Sequence, residues 1–297
     1  MLSLIEFLNQ TPVPEPQALD YISASRLNLW LRCPLAFKRR YIDGIQSPPA
    51  PSLSIGKVVH DVLDGVYRCA MLGAYATAND IPAFVDDAWN RVLKSKPFTF
   101  ESVDQETKSK NQIVDIVKMY LAETDIADEK PVAVEQKFQT PLIDPLTDED
   151  FGITLVGIAD LILDGEDGPV IVDFKTAASA SSNCELQHEI QLTAYSYLVR
   201  EVLGIDESAL EIRQLVKTKT PKLVVHRYAP RTDEHFERFF GIVKEYLDSI
   251  DRGIFNCRPS WNCGMCEFSF SCGSLSTPIA NFRESKQCTV STTGVVT

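Results

Sequence analysis

Apolar positions along this chain change their period at Pro131. Before it they recur every three or four residues, and after it they alternate or run together with β-branched types. In "SASRLNLWLRCPLAFKRRYIDG", Ser23 or Ser25 offers a helix N-cap, and Leu27, Trp30 and Leu31 follow at helical spacing. Pro34 then breaks or restarts that helix. "SPPAPS" reads as a linker, after which Ile55, Val58, Val59, Val62, Leu63 and Val66 form one apolar helical stripe. Two further helices are expected between Ile81 and Ala127. "VAVEQKFQTPL", "GITLVGIADLILD" and "PVIVDFKT" predict three strands separated by turn residues. "EIQLTAYSYLVREVL" predicts an amphipathic helix, "LEIRQLVKT" and "KLVVHRYA" a strand pair, and "TDEHFERFFGIVKEYLDSIDRG" a helix stopped by Gly253. The expected order is helices, strands, helix, strands, helix. Residues 1–20, polar with three prolines, read as a loose arm, and 274–297 as a flexible tail.

Composition sets the class. A chain of 297 residues can bury a sizeable core. It contains no run near the roughly 18 apolar residues of a membrane span, and its first residues lack the basic start and apolar length of a signal peptide. Both point to the cytoplasm, where the eight cysteines would be reduced and clustered ones would bind metal. Four of the eight fall between Cys257 and Cys272. A net charge of -12 argues against general nucleic-acid affinity while leaving room for a local basic groove.

The chemistry gathers around "DGEDGP", a turn between "GIADLIL" and "VIVDFK". A hairpin symmetric about that turn sets Asp160 opposite Asp173, with side chains about 5 Å apart. Strand alternation puts Lys175 on the face of Asp173. Two carboxylates so close beside an apolar sheet cost free energy unless a cation neutralises them or one takes a proton. Mg²⁺ or Mn²⁺ suits such oxygen donors. The plainer alternative is a solvent-facing edge hairpin in which Lys175 is a salt-bridge partner. Glu135, on the preceding strand, is a further carboxylate without an assigned role.

A spaced D…(D/E)-x-K on a hairpin resembles the PD-(D/E)xK nucleases, and the resemblance to their RecB-like branch runs over about 21–273. "GKVVHDVLD" is similar to the upstream helix of that branch, whose histidine, here His60, joins the metal shell. "VGIADLI" matches the strand with the first metal aspartate, Asp160, with Ala159 where the family usually has proline. "VDFKTA" matches the (D/E)-x-K strand through Asp173 and Lys175, and "QLTAYSYLV" the Q-x-x-x-Y helix through Gln191 and Tyr195, one turn apart. The resemblance implies an α/β, restriction-endonuclease-like fold with a central mixed sheet flanked by helices. One domain would span 21–273: a helical part to 130, a catalytic core over 131–230, and a helix with a cysteine segment over 231–273. His60, Asp160, Asp173 and the Phe174 carbonyl would hold Mg²⁺ or Mn²⁺. Lys175 would serve the attacking water, and Gln191 and Tyr195 would position Lys175 or the DNA.

"CRPSWNCGMCEFSFSCG" contains Cys263-x₂-Cys266-x₅-Cys272, and a fourth ligand is needed from Cys257 or the distant Cys33. A lone upstream cysteine with a downstream trio resembles the iron-sulfur staple of AddB-type nuclease domains and CRISPR-associated spacer-processing nucleases. That resemblance assigns Cys33, Cys263, Cys266 and Cys272 to a [4Fe-4S] cluster joining the N-terminal helices to the C-terminal segment. Zn²⁺ on the same thiolates, or a local quartet with Cys257, are the rivals.

The expected partner is DNA, as single strands or ends and without sequence preference. Arg32, Lys38, Arg39 and Arg40, interleaved with Trp30, Phe37 and Tyr41, have the composition of a single-strand track. Lys217, Lys219, Lys222 and Arg227 form a second basic run, or else a solvated hairpin face. No G-x₄-G-K-[ST] loop is present, so a helicase motor would come from a partner chain, as would an integrase. The function expected is a metal-dependent deoxyribonuclease in recombination, repair or CRISPR spacer acquisition. A non-catalytic DNA-end or partner-binding module on the same fold is the alternative.

Overall fold

The computed structural model describes residues 20–45, 51–95, 100, 102–269 and 272. Nearly all of the expected arm and tail, and part of the "SPPAPS" linker, lie outside the described residues. Helix α1 (Ala24–Arg32) starts where Ser23 Oγ accepts the Arg26 N–H at 3.4 Å, and α2 (Pro34–Phe37) restarts the chain with proline at its first position. A single π-type turn follows at Lys38–Ile42, which side-chain periodicity does not signal. Helices α3 (Pro51–Met71), α4 (Ile81–Ser95) and α5 (Val103–Glu123) complete the N-terminal half. All six residues of the α3 stripe are buried. Each such side chain contributes about 1.5–3 kcal/mol on burial.

The sheet comprises β1 (Tyr21–Ile22), β2 (Pro131–Ile143), β3 (Asp150–Gly165), β4 (Gly168–Ala177), β5 (Ala209–Val216) and β6 (Lys222–Tyr228). Helix α6 (Cys184–Leu203) crosses from β4 to its parallel neighbour β5, and α7 (Asp233–Asp251) follows β6. The two-residue β1 carries no periodic signal and was not expected. Strands β2, β3 and β4 are antiparallel in succession, as are β5 and β6, so the sheet is mixed. One face packs on α1, α2, α6 and α7 and the other on α3, α4 and α5, giving three layers.

The long β3 organises these layers. β2 occupies one of its edges from Asp150 to Leu163, leaving the other edge to β1 and β4. β1 pairs with Thr154 and Leu155, and β4 joins only from Leu161 onward. Between Val156 and Asp160 that edge has no strand partner among the described residues, a break in the ladder between β1 and β4 that forms the cleft.

Glu207 ties α6 to the far side of the sheet. Its carboxylate accepts from Ser196 Oγ, from the Arg200 guanidinium at 2.8 and 3.0 Å, and from the Arg231 backbone N–H at 2.8 Å. Burial opposes its charge, but the Arg200 pair and the N–H and hydroxyl donors prevail and hold its carboxyl below the usual range. A depressed carboxyl contributes stability that is present above the unfolded value of about 4.3 and fades as pH falls through the folded one. Glu207→Gln is therefore expected to cost about 2–3 kcal/mol at neutral pH. Thermal melts should show the gap to wild type shrinking below pH of about 4.

Candidate active site

Asp160 and Asp173 lie at the mouth of the hairpin. The ladder pairs Leu161 with Val172, Ile162 with Ile171 and Leu163 with Val170, the register in which Asp160 opposes Asp173. Pairing stops one step short of the two acids. In place of that rung, Asp160 Oδ2 accepts the Phe174 backbone N–H at 2.8 Å.

A second register brings in a residue that hairpin symmetry could not. β2 pairs Val134 with Leu161 and Gln136 with Ala159, so Glu135 stands across from Asp160. Both strands change face here. Ala133 and Phe138, five residues apart, share the α6 layer, as do Ala159 and Ile162, three apart, while Val134 and Leu161 face the opposite layer. Strict alternation forbids odd spacings on one face, so each strand is kinked once, β3 at Asp160 and β2 near Glu135, whose φ is 46°. That left-handed conformation costs a non-glycine residue roughly 1–2 kcal/mol. Coincident kinks turn both carboxylates out of the core into the cleft.

His60 reaches the same point from α3, its Nδ1 3.4 Å from Asp160 Oδ2. Donor atoms of His60, Glu135 and Asp160 all lie within 4.8 Å of one another. The three charges are unevenly balanced. Burial opposes a charge on His60, but the Asp160 carboxylate raises its pKa above the ordinary value. Burial also works against Asp160, which His60, Lys175 and the Phe174 N–H nevertheless hold low. Burial, and then the charge of Asp160, push the Glu135 carboxyl up to about 7.

Asp173 belongs to a different set of contacts. Its Oδ1 accepts from Lys175 Nζ and from Gln191 Nε2, each at 2.9 Å, and its Oδ2 lies 2.7 Å from Lys175 Nζ. Gln191 Oε1 accepts from Lys175 Nζ at 2.9 Å, closing a ring of three side chains. Gln191 Nε2 also donates to the Tyr195 hydroxyl at 2.7 Å. Full burial pushes the Asp173 carboxyl up against the pull of Lys175. Behind both sets the Phe174 ring packs on Tyr67 and Tyr120, with the His60 ring edge-on at 6.2 Å.

The sequence-expected residues His60, Asp160, Asp173, Lys175, Gln191 and Tyr195 thus line one cleft. Glu135 was visible as an acid in an apolar strand, but its role was not legible there.

Between α1 and the segment after α7, Cys33, Cys257, Cys263, Cys266 and Cys272 line a single cavity, with Cys257 Sγ 3.7 Å from Cys272 Sγ. The expected stacking track beside Cys33 is corrected. Trp30 and Phe37 are buried, edge-on to Tyr246, because the apolar face of α1 and α2 is core. The neighbouring cations serve the chain itself: Lys38 pairs with Asp43, Arg40 with Glu267, and Arg39 donates to the Phe268 carbonyl. Arg227 of the second run pairs with Glu211, while Lys219 and Lys222 are exposed.

Residues 21–273 match the family model described as the PD-(D/E)XK nuclease superfamily. The chain belongs to that superfamily. The three-layer mixed sheet fits its restriction-endonuclease-like architecture, and the activity of the superfamily is nuclease hydrolysis. A crystal structure of a Eubacterium rectale protein described as a candidate exonuclease is similar over 88% of this chain and 91% of its own, at 15% identity and a TM-score of 0.53, a likeness of fold. SSO0001 is similar at 16% identity over 92% of this chain and 96% of its own, with a TM-score of 0.45. No curated protein sequence matches. Among the described residues no helix is long and apolar enough to cross a membrane. PD-(D/E)XK nucleases use divalent metals, and the hard carboxylate oxygens with one imidazole at His60, Glu135 and Asp160 fit such an ion.

The nuclease cleft depends on how closely α6 approaches β3. A Cβ on Gly157 would come within 2.6 Å of Leu198 Cδ1 and 3.3 Å of the Tyr195 ring, so the missing side chain lets α6 seat Tyr195, the hydroxyl to which Gln191 donates, against β3. Gly157→Val is expected to cost about 1–3 kcal/mol by overpacking, read by urea denaturation. It should also move the Gln191 side-chain amide resonances in NMR spectra.

Proposed function

We propose that this chain is a Mg²⁺- or Mn²⁺-dependent deoxyribonuclease of the RecB-like type, acting as an exonuclease on single-stranded DNA or DNA ends. The observation that carries the reading is the closed Lys175–Asp173–Gln191 ring beside the His60–Asp160 pair, all in one cleft. The described function of the Eubacterium rectale structure agrees with exonuclease action.

In hydrolysis a water oxygen bonds to phosphorus, one P–O ester bond breaks, and the departing alkoxide takes up a proton. A divalent ion when bound lowers the pKa of a coordinated water and offsets charge on the phosphate oxygens. His60 and Asp160 would hold it, the sequence adding Asp173 and the Phe174 carbonyl. Lys175, fixed by Asp173 and Gln191, presents its ammonium to the water and to charge growing on the non-bridging oxygens. Tyr195 braces Gln191 from below. Lys217, Lys219 and Lys222 lie at the end of the sheet where Lys175 emerges, because β4 and β5 are parallel, and there they would meet phosphates.

The cysteine cavity supports a second, structural cofactor. Cys33, Cys263, Cys266 and Cys272 would hold a [4Fe-4S] cluster, fastening α1 and α2 to the segment after α7. End trimming of this kind serves recombination, repair or CRISPR spacer acquisition, with a helicase or integrase as partner.

Cleavage of a labelled single-stranded oligonucleotide by anaerobically purified protein tests the reading. Mn²⁺ should support cleavage, EDTA should abolish it, and Lys175→Ala should lower kcat by about 10²–10³-fold. A folded wild type that leaves the oligonucleotide intact with Mn²⁺ would replace the nuclease with a binding module. Metal analysis of the same preparation should find iron and acid-labile sulfide in equal amounts, lost in Cys33→Ser; zinc instead would reassign the thiolates.

A further inference from the structure

We propose that Cys257 and Cys272 form a reversible disulfide with a small-molecule disulfide such as oxidised glutathione as the oxidant, and that the bond withdraws Cys272 from the cluster assigned above. The release of the cluster rests on that reading, whereas the disulfide does not need it. Five cysteines line the cavity, and a cluster bound by Cys33, Cys263, Cys266 and Cys272 leaves Cys257 over. That fifth thiol stands against one of the four, Sγ to Sγ at 3.7 Å. Zinc, with bonds of about 2.3 Å, would draw all its sulfurs to about 3.8 Å from one another. Among the described residues, however, no three of these sulfurs lie within 4.8 Å of one another. The close contact is therefore a pair, and not one edge of a closed zinc cage.

The pair is placed to react. A disulfide needs sulfurs about 2.05 Å apart, so these two must close by roughly 1.7 Å. Cys257 lies in 254–259, a stretch with neither helix nor strand between α7 and the 3₁₀ turn Trp261–Met265, so no ladder or helix holds it against that movement. Both cysteines are half-buried at the wall of the cavity, within reach of a small reagent. The other described cysteines sit elsewhere, Cys69 on α3 and Cys184 buried at the start of α6.

The exchange balances in two steps. The Cys257 thiolate attacks one sulfur of glutathione disulfide, giving a mixed disulfide and a glutathione thiolate that takes up the proton Cys257 gave up. The Cys272 thiolate then attacks the Cys257 sulfur and expels the second glutathione. Two protein thiols have lost two electrons and two protons, and one glutathione disulfide has become two thiols. Excess reduced glutathione reverses both steps, as a redox-sensing disulfide requires. A sulfur in a disulfide is no longer a thiolate, the form that binds metal, so the cluster loses one ligand in four. The new bond joins two residues fifteen apart and leaves Cys33 outside it. Helix α1 thereby loses its covalent link to the C-terminal segment and keeps the Arg258 bond to the Leu31 carbonyl.

Mass spectrometry of the full chain tests this without reference to cleavage. Protein stripped of iron, treated with glutathione disulfide, alkylated and digested should yield a peptide linking Cys257 to Cys272, absent after dithiothreitol and in Cys257→Ser. The same reagent should bleach the visible absorption of iron-loaded wild type faster than that of Cys257→Ser, and should speed amide exchange in α1 and α2. Both thiols alkylated with no linked peptide, or Cys272 linked chiefly to Cys263 or Cys266, would overturn the disulfide. Equal bleaching of wild type and Cys257→Ser would overturn the release of the cluster. Protein that carries no iron yet forms the linked peptide would uphold the disulfide and sink only the cluster reading. Protein that holds iron and never forms the link would do the reverse.

Discussion

The unpaired stretch of the β3 edge is the constraint on which the rest of the structure depends. A sheet closed along its whole length would bury Asp160 in a hydrogen-bonded ladder, where a carboxylate without a partner is costly. Because β1 uses only Thr154 and Leu155 and β4 begins at Leu161, the sheet splits there while β2 keeps the opposite edge continuous. The continuous edge supplies rigidity and the broken one supplies access. Paired kinks at Glu135 and Asp160 are the local means of turning polar groups into that opening without exposing the apolar residues on either side.

Rigidity around the opening comes from polar groups as much as from apolar ones. Beneath Phe174, the Arg213 guanidinium donates to the hydroxyls of Tyr67 and Tyr120 and pairs with Glu129 and Glu211. A buried cation with four partners is costly to dismantle, since removal of any one leaves charge unmatched in a medium of low dielectric. This network fixes α3 and α5 against β5, and with them the height of His60. On the opposite face Glu207 does the same for α6. Each wall of the cleft is therefore anchored by a buried ionic knot one layer behind the reacting groups.

Much of this was legible in the sequence, and what was missed shares a cause. The hairpin register followed from turn symmetry, since only a few residues separate β3 from β4. The face shared by Gln191 and Tyr195 followed from helical spacing. Glu135 escaped because its partner is set by a register between β2 and β3 that no short turn dictates, and because both strands break alternation where it matters. Trp30 and Phe37 were misjudged for a related reason. A run of aromatic and basic residues has the same composition whether the rings face water or core, and only Tyr246, more than two hundred positions later, decides it.

That last contact has a consequence for how the protein is made. Trp30 and Phe37 are covered by Tyr246, Arg258 donates to the Leu31 carbonyl, and Cys33 shares its cavity with residues beyond 256. At about 5–20 residues per second, the ribosome takes on the order of 10–40 s to deliver those partners. Throughout that interval the α1 and α2 segments, nine and four residues long, lack the cover that holds them helical. These two segments thus gain their full cover late, which makes α1 and α2, rather than the catalytic sheet, the part of this protein most in need of a chaperone.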